Sequence, residues 1–193
     1  MATANTRRAR MAKIEPESMT EAQKKAAAEL ASGPRGEVRG PFNVLLRSPE
    51  LMSPVQKVGE YLRFRCQLDR RIAEMATLIA ARHWTQVYEW SAHHPLALKA
   101  GLKAEIADAI AEGRRPTGMA KDEEIVYDLL SEVLQNKSAS DTTYAAALEQ
   151  FGEQNLVDLV AIAGYYALLG MLMNVARTQL PEGKEPGMPH FPN

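Results

Sequence analysis

Apolar residues recur every three or four positions through most of this chain, and no segment alternates between apolar and polar residues with period two. The first spacing places apolar side chains along one face of a helix, whereas alternation would indicate strands. The clearest example follows Asp69, where Ile72, Met75, Ala76 and Ile79 share one face. We therefore predict an all-α fold in which this helix is central and mostly buried.

Caps and helix-breaking residues mark the ends of the predicted helices. A capping box of Thr20 with Gln23 opens the first helix, and Gly33 with Pro34 ends it. The predicted helices cover residues 20–32, 54–64, 70–83, 87–100, 102–112, 122–135, 143–151 and 156–176. Ser48 with Pro49 and Ser53 with Pro54 each fit an N-cap followed by proline at the first helical position, and the second pair opens the helix that runs to about Phe64. The glycine- and proline-rich stretch 33–41 is predicted to be an irregular connector that could flank a site.

The length and composition are typical of one globular domain. A chain of 193 residues with 46% apolar and 24% charged residues can bury a sizeable core. We assign the single all-helical domain to residues 14–179. Residues 1–13 are predicted to form a disordered basic tail, because they offer almost no apolar surface to bury, and residues 180–193 an extended proline-rich tail.

Charge and cysteine content exclude several classes of partner and chemistry. The net charge of −1 and the pI near 6.4 give no broad attraction to nucleic acid or to an anionic membrane. Cys66 is the single cysteine, so one chain has no cysteine pair for disulfide exchange. The N-terminus lacks an apolar signal segment, and we expect a cytoplasmic protein. The apolar run at 156–176 could span a membrane, but Asp158 would be costly in lipid, so we predict a buried helix there.

Three titratable side chains interrupt the apolar pattern between residues 74 and 101. Glu89 and His93 are four positions apart on one predicted helix, so they can form a hydrogen bond that raises the basicity of the imidazole. Glu74 lies on the preceding helix among apolar neighbours, where burial would raise its pKa and suit it to act as a proton donor or relay. Gln86 lies on the face of Glu89 and His93 and could orient either side chain. These groups are the candidate site.

A purely structural role is the competing interpretation of the same residues. A glutamate and a histidine at helical spacing are often only a surface pair, and His94 with Trp90 can be simple packing. His83, on an apolar face, is typical of a core histidine. A carboxylate and histidine set could also bind zinc or iron, but Glu-x-x-x-His on a helix is common by chance. We predict no metal and no cofactor.

The spacing in this segment resembles that of the carboxymuconolactone decarboxylase and alkylhydroperoxidase D superfamily. In its peroxidase members a helical glutamate is followed after twelve, fifteen and nineteen positions by Cys, Cys and His. Counting from Glu74 gives Gln86, Glu89 and His93, and Tyr88 stands where many peroxidase members have another histidine. The outer Glu and His match, whereas both cysteines are missing. The match is strongest over residues 74–101 and extends over 41–176.

The decarboxylase branch is the closer match, because its members carry a Glu-x-x-x-His helix followed by an alanine-rich turn into Gly-Leu. In this chain Glu89 and His93 are followed by Ala100, Gly101 and Leu102. The resemblance implies a bundle of about six to eight helices, assembled as a homotrimer or homohexamer with active sites near subunit contacts. It also implies a cofactor-independent carboxy-lyase, or a related acid-base enzyme, that acts on a small lactone or aromatic-derived carboxylic acid.

The resemblance suggests roles for individual residues. His93, held by Glu89, would donate a proton to the substrate, and Glu74 would act as a relay or orienting acid. Arg82 and Arg63 are candidates to meet substrate carboxylates because they lie near the motif in the sequence. The full predicted substrate-binding set comprises Arg82, Gln86, Tyr88, Trp90 and His94.

Two other functions stay open from the sequence. One is an antioxidant peroxidase that uses Cys66 or a thiol of a partner. The other is a non-catalytic binding or assembly protein that has kept the fold and lost its chemistry, since one scaffold can host unrelated functions.

Overall fold

The computed structural model describes residues 8–189, and the described part of the chain is entirely helical apart from its turns and connectors. The predicted all-α fold is therefore confirmed. A short 3-10 helix at Pro16–Ser18 comes first. The α-helices that follow are α1 (Glu21–Ala31), α2 (Pro41–Leu45), α3 (Pro49–Phe64), α4 (Arg70–His83), α5 (Val87–Lys99), α6 (Ala104–Ala111), α7 (Lys121–Asn136) and α8 (Asp141–Ala176).

The structure differs from the prediction at two points before α4. The expected connector at 33–41 is irregular as far as Gly40, and Pro41 is already the first residue of the short helix α2. Helix α3 begins at Pro49, the first of the two predicted proline positions, and continues through Pro54, which was expected to open the helix. A proline in the second turn removes one intrahelical hydrogen bond, and burial of Met52 and Val55 on the inner face compensates for this loss.

Helix α4 is the centre of the molecule. Every residue from Ile72 to Arg82 is buried, and the helix packs against α5, α6, α7 and α8. The Asp69 carboxylate caps its start by accepting hydrogen bonds from the backbone of Arg71 and Ile72. A polar residue placed on such a helix has no route to bulk water, so its environment is fixed by the neighbouring helices.

Helix α8 combines the two C-terminal helices that the sequence predicted. Gly152 interrupts it with a φ of 73°, a left-handed conformation that glycine adopts without strain. By length and composition α8 could also cross a membrane, but half of its most apolar stretch is buried within the protein. The helix lies against α2, α3, α4 and α7.

The described parts of both predicted tails pack on their own domain. The backbone N–H of Arg10 donates to the carbonyl of Ala176 over 2.9 Å. At the other end Met188 is buried, and the carbonyl of Pro189 accepts a hydrogen bond from Arg82 over 2.6 Å. Residues 1–7 and 190–193 lie outside the described part of the chain, so the predicted disorder at the extreme N-terminus and the position of His190 are not described.

Candidate active site

A pocket of about 480 Å³ opens between the connector before α2, the end of α3, the outer face of α5 and the middle of α8. Aromatic side chains form much of its wall, and two residues of the C-terminal segment lie at its edge. Its lining includes Arg35, Glu37, Arg39, Phe42, Arg63, Phe64, Tyr88, Glu89, His93, Tyr165, Tyr166, Leu169, Pro181 and Lys184. Its volume suits a small organic ligand.

His93 is held by Glu74. The Nδ1 atom of His93 lies 2.7 Å from Oε2 of Glu74, and both side chains are buried, with exposed fractions of 6% and 2%. The other carboxylate oxygen of Glu74 forms an ion pair with Arg70, one helical turn earlier on α4. The expected partner of His93 was Glu89, on its own helix. The packing of α5 against α4 brings Glu74 to the imidazole instead.

The charge states of this pair follow from their surroundings. Burial alone would raise the pKa of Glu74, but the hydrogen bond to His93 and the charges of Arg70 and Arg63 hold it below its ordinary value. Burial lowers the pKa of His93, and Glu74 offsets only part of this effect. A carboxylate can only accept, so a neutral His93 carries its proton on Nδ1. Its Nε2 atom is then an acceptor, on a side chain that lines the pocket.

Glu89 has the opposite character. Its side chain is only 3% exposed, and neither carboxyl oxygen has a hydrogen-bond partner among the described residues. Burial raises the pKa of Glu89 well above its ordinary value, which favours the neutral acid. The carboxyl group lies against Gly170 of α8, where an added Cβ would come 3.5 Å from Oε2 of Glu89. Gly170 and the carboxyl group are thus within van der Waals range, so α8 contributes to the burial of Glu89.

Two tyrosines of α8 complete the wall around His93. The ring of Tyr166 meets the imidazole edge to face, with 4.9 Å between the ring centroids. Tyr165 lies against the backbone of α3, where a Cβ added at Gly59 would stand 2.0 Å from the tyrosine hydroxyl oxygen. Burial raises the pKa of both tyrosines, so both hydroxyl groups stay protonated. Neither tyrosine was predicted as a site residue, although both lie in the apolar run at 156–176.

The predicted substrate-binding residues fall into two groups. Tyr88 lines the pocket, whereas Arg82, Gln86, Trp90 and His94 are not among its lining residues. Arg82 points toward the C-terminal segment, where it donates to the carbonyl of Pro189. Arg82 lies at the far end of α4, eight positions from Glu74, and this separation of about 12 Å along the helix axis takes it away from the pocket.

The other three predicted residues have structural contacts. Gln86 caps α5 by accepting from the backbone N–H of Tyr88, and it donates to Asn174 over 2.8 Å. Trp90 is 1% exposed and stacks on His94 with 5.7 Å between ring centroids, as the packing alternative proposed. His83, interpreted as a core histidine, is exposed at the end of α4.

Sequence reasoning missed Arg35, which lies in the glycine- and proline-rich connector and reaches the pocket. Its guanidinium lies over the ring of Phe42 and donates to the hydroxyl oxygen of Tyr165 over 3.3 Å. The only available signal was the irregular composition of residues 33–41. Arg63, in contrast, was named as a candidate cation and does line the pocket.

No group of three or more histidine, cysteine, aspartate or glutamate side chains within residues 8–189 could hold a metal ion. Glu74, Glu89 and His93 thus do not form the ligand cluster that the alternative interpretation required. The described site is a set of proton donors and acceptors, with cations and aromatic rings around them.

The helical bundle has an alkylhydroperoxidase D-like fold, as the likeness to two solved structures shows. The alkylhydroperoxidase AhpD core of an uncharacterized peroxidase-related protein from Ralstonia eutropha matches with a TM-score of 0.72 and 16% identity, covering 90% of this chain and 93% of that one. A protein of unknown function from Agrobacterium tumefaciens, with a suggested role as the antioxidant defence protein AhpD, matches with a TM-score of 0.63. That match has 16% identity and covers 74% of this chain and 99% of the other.

The predicted fold family is therefore confirmed at the level of structure. No protein-family model matches the sequence, and the search of curated proteins gave no significant match. At this level of identity the structural likeness establishes the fold alone. The function has to be argued from the residues of the pocket.

Proposed function

We propose that this protein is an acid-base enzyme that decarboxylates a small lactone carboxylic acid, or a related cyclic acid, in the pocket beside His93. One observation carries the proposal, namely that the pocket wall combines two groups of opposite character. The carboxyl group of Glu89 is buried without a hydrogen-bond partner among the described residues, which favours its protonated form, and the neutral imidazole of His93 is oriented by Glu74. Titratable groups whose surroundings favour opposite proton-transfer roles are typical of general acid and base pairs.

The proposed reaction begins when the bond from the ring to a carboxylate carbon breaks. Carbon dioxide leaves, and the electron pair passes into the unsaturated lactone. Glu89 donates its proton to the carbon that takes up this charge, which completes the product. A proton from solvent restores Glu89. His93 accepts that proton at Nε2 and passes it on, while the Glu74 carboxylate stabilises the transient imidazolium.

This assignment changes the roles suggested by the sequence. The resemblance made His93 the proton donor and Glu89 its support. The buried contact between His93 and Glu74 supports the imidazole as the proton acceptor. The lack of a hydrogen-bond partner for Glu89 among the described residues supports its carboxyl group as the proton donor. Tyr88 keeps its predicted place as a wall of the substrate pocket.

Steady-state turnover of carboxymuconolactone tests the proposal. We expect Glu89→Gln and His93→Ala each to lower kcat by about a hundredfold or more, the usual range for loss of a general acid or base. Glu153→Gln changes an exposed glutamate of α8 and serves as the matched control, with kcat unchanged. A Glu89→Gln variant as active as the wild type would remove Glu89 from the mechanism. Inactivity of the wild type on a broad lactone panel would exclude the decarboxylase reaction.

An antioxidant function is the second candidate, because both structural neighbours are described in peroxidase or antioxidant terms. Thiol peroxidase chemistry needs a thiolate and a resolving thiol. Cys66 lies beyond the end of α3, donates to the carbonyl of Leu62 over 3.0 Å and is not among the pocket lining residues. This candidate therefore has less support from the site than the acid-base proposal.

A non-catalytic function would be expected to leave Glu74, Glu89 and His93 separated and exposed. All three are buried, and Glu74 contacts His93 directly. An uncompensated carboxyl group such as that of Glu89 destabilises the fold, because its hydrogen bonds to water are lost without replacement. A catalytic role gives a reason for this arrangement.

We also propose that the enzyme is a cytoplasmic homo-oligomer, a trimer or a hexamer. In the part of α8 after Gly152, four large apolar side chains are exposed in the single chain: Val157 (63%), Val160 (38%), Met171 (41%) and Val175 (59%). Their spacing follows one face of the helix, and such a face suits burial against another subunit. Light scattering of the wild type should give a multiple of the chain mass, and Val157→Lys with Val175→Lys should reduce it. A monomeric wild type would refute this part of the proposal.

A further inference from the structure

The pocket wall has an excess of cationic side chains. Arg35, Arg39, Arg63 and Lys184 line it, against the two carboxyl groups of Glu37 and Glu89. Arg39 forms an ion pair with Glu37 over 3.2 Å at an exposed position, and Glu89 is favoured in its neutral form. The positive charge of Arg35 and Arg63 is therefore not balanced by a carboxylate in the pocket wall.

Arg35 and Arg63 each have a buried donor with no acceptor among residues 8–189. The Nε atom of each guanidinium is buried and lacks a hydrogen-bond partner among the described residues. Arg35 donates a hydrogen bond to the hydroxyl of Tyr165 and lies over the ring of Phe42, and Arg63 places its guanidinium over the ring of Phe64, 5.2 Å from the centroid. A buried donor without an acceptor is costly, so an acceptor supplied by a ligand would stabilise both arginines.

The two arginines also affect each other. Desolvation lowers the pKa of Arg35 below its ordinary value and the charge of Arg63 lowers it further, while Tyr165, Tyr166 and Glu60 offset only part of this effect. The charge of Arg63 also acts on His93 and on both tyrosines of α8. A ligand anion beside Arg63 would thus lie close to the proposed acid-base groups.

The remaining wall limits the shape of that anion. Arg35 lies over the ring of Phe42 and Arg63 over that of Phe64, and Tyr88 and Tyr166 add further aromatic surface to the pocket wall. Flat rings pack well against such walls, and a guanidinium binds a carboxylate through two parallel hydrogen bonds. We infer that Arg35 and Arg63 form an anion subsite that anchors the carboxylate of a planar, ring-containing acid beside Glu89 and His93. The inference deepens the proposed function by naming the recognition group of the same pocket, and it rests on that proposal for its role in turnover.

Equilibrium binding tests the subsite without any catalytic reaction. We expect isothermal titration calorimetry of the full chain to detect benzoate, and to find benzamide, which has the same shape and no charge, bound about tenfold more weakly or worse. Arg63→Met and Arg35→Met should each weaken benzoate binding by about tenfold while changing benzamide binding little. Arg65→Met is the matched control, because Arg65 is exposed beyond the end of α3 and is not a lining residue.

Circular dichroism of each variant shows whether it is folded. Arg63→Lys and Arg35→Lys are conservative variants that keep the positive charge. The lysine variants should bind benzoate between wild type and the methionine variants, because they lose the two-pronged contact. Equal affinity for benzoate and benzamide, undiminished binding by folded Arg63→Met, or no benzoate binding by the wild type would each overturn the subsite. If the wild type binds benzoate but turns over none of the lactones, the proposed reaction would be refuted and the anion subsite would stand.

Discussion

The replacement Glu89→Gln gives the sharpest prediction, because it changes one buried proton and almost no volume. Both oxygens of Glu89 are buried and unpartnered, and burial raises its pKa well above 4.5. The folded protein therefore retains the proton of Glu89 at pH values where the unfolded chain has lost it. Between the two pKa values the free energy of unfolding contributed by this residue must fall as the pH rises.

The size of the effect follows from proton linkage. Within that window each pH unit changes the folding equilibrium constant by about tenfold, so two units correspond to about 3 kcal/mol. Below about pH 4.5 both the carboxyl group and the glutamine amide are neutral and unpartnered, and wild type and Glu89→Gln should have similar stability. Above it the variant should become the more stable protein, by a margin that grows with pH until the folded-state pKa is reached.

Urea denaturation followed by circular dichroism, at a series of pH values and one protein concentration, measures this margin. Taking the difference between variant and wild type removes the contributions of all other titrating groups. Glu153→Gln, an exposed glutamate of α8, should follow the wild-type profile. Parallel profiles for wild type and Glu89→Gln would mean that Glu89 is ionised and compensated in the folded state, and the proposed proton donor would be lost with it.

Three further predictions concern residues around the pocket. The effect of Glu74→Gln on the free energy of unfolding should have the opposite pH dependence, because the pKa of Glu74 lies below 4.5. The stabilisation by Glu74 is present above that pH and disappears on acidification. Titration of His93 by NMR should follow the loss of its partner. Gly59→Ala should lower the free energy of unfolding by about 1–3 kcal/mol, since its Cβ would overlap the hydroxyl of Tyr165, and unchanged denaturation would contradict this packing. Cys66→Ser should leave any peroxide consumption at the wild-type rate, and a loss of that rate would favour the antioxidant alternative.

Much of the fold could be predicted from the sequence because helices are specified locally. Thr20 and Asp69 cap helices where predicted, and the apolar spacing after Asp69 correctly indicated a central, buried helix. These signals involve residues within about one turn of each other, so no knowledge of distant contacts is needed. The start of α3 was missed because Pro49 and Pro54 carry the same local signal for a first helical position, and only the packing of the inner face distinguishes them.

The sequence by itself determined which chemistry is available. It provided one cysteine, and it placed Gln86 and Glu89 where the resembled peroxidases have their thiols, so the candidate site had to consist of carboxyl and imidazole groups. It could not decide which carboxyl group meets the histidine. Glu89 is one turn from His93 on the same helix, whereas Glu74 is on the preceding helix. Which of the two contacts His93 depends on the packing of α5 against α4.

Tertiary structure decided the charge states and the recognition groups. The neutral form of Glu89 depends on its burial, to which α8 contributes through Gly170, 81 positions later in the chain. Arg35 joins Arg63 only because the connector before α2 folds over the end of α3. Proton affinity depends on burial and on charges from every neighbouring element, and neither is encoded in the spacing of one helix.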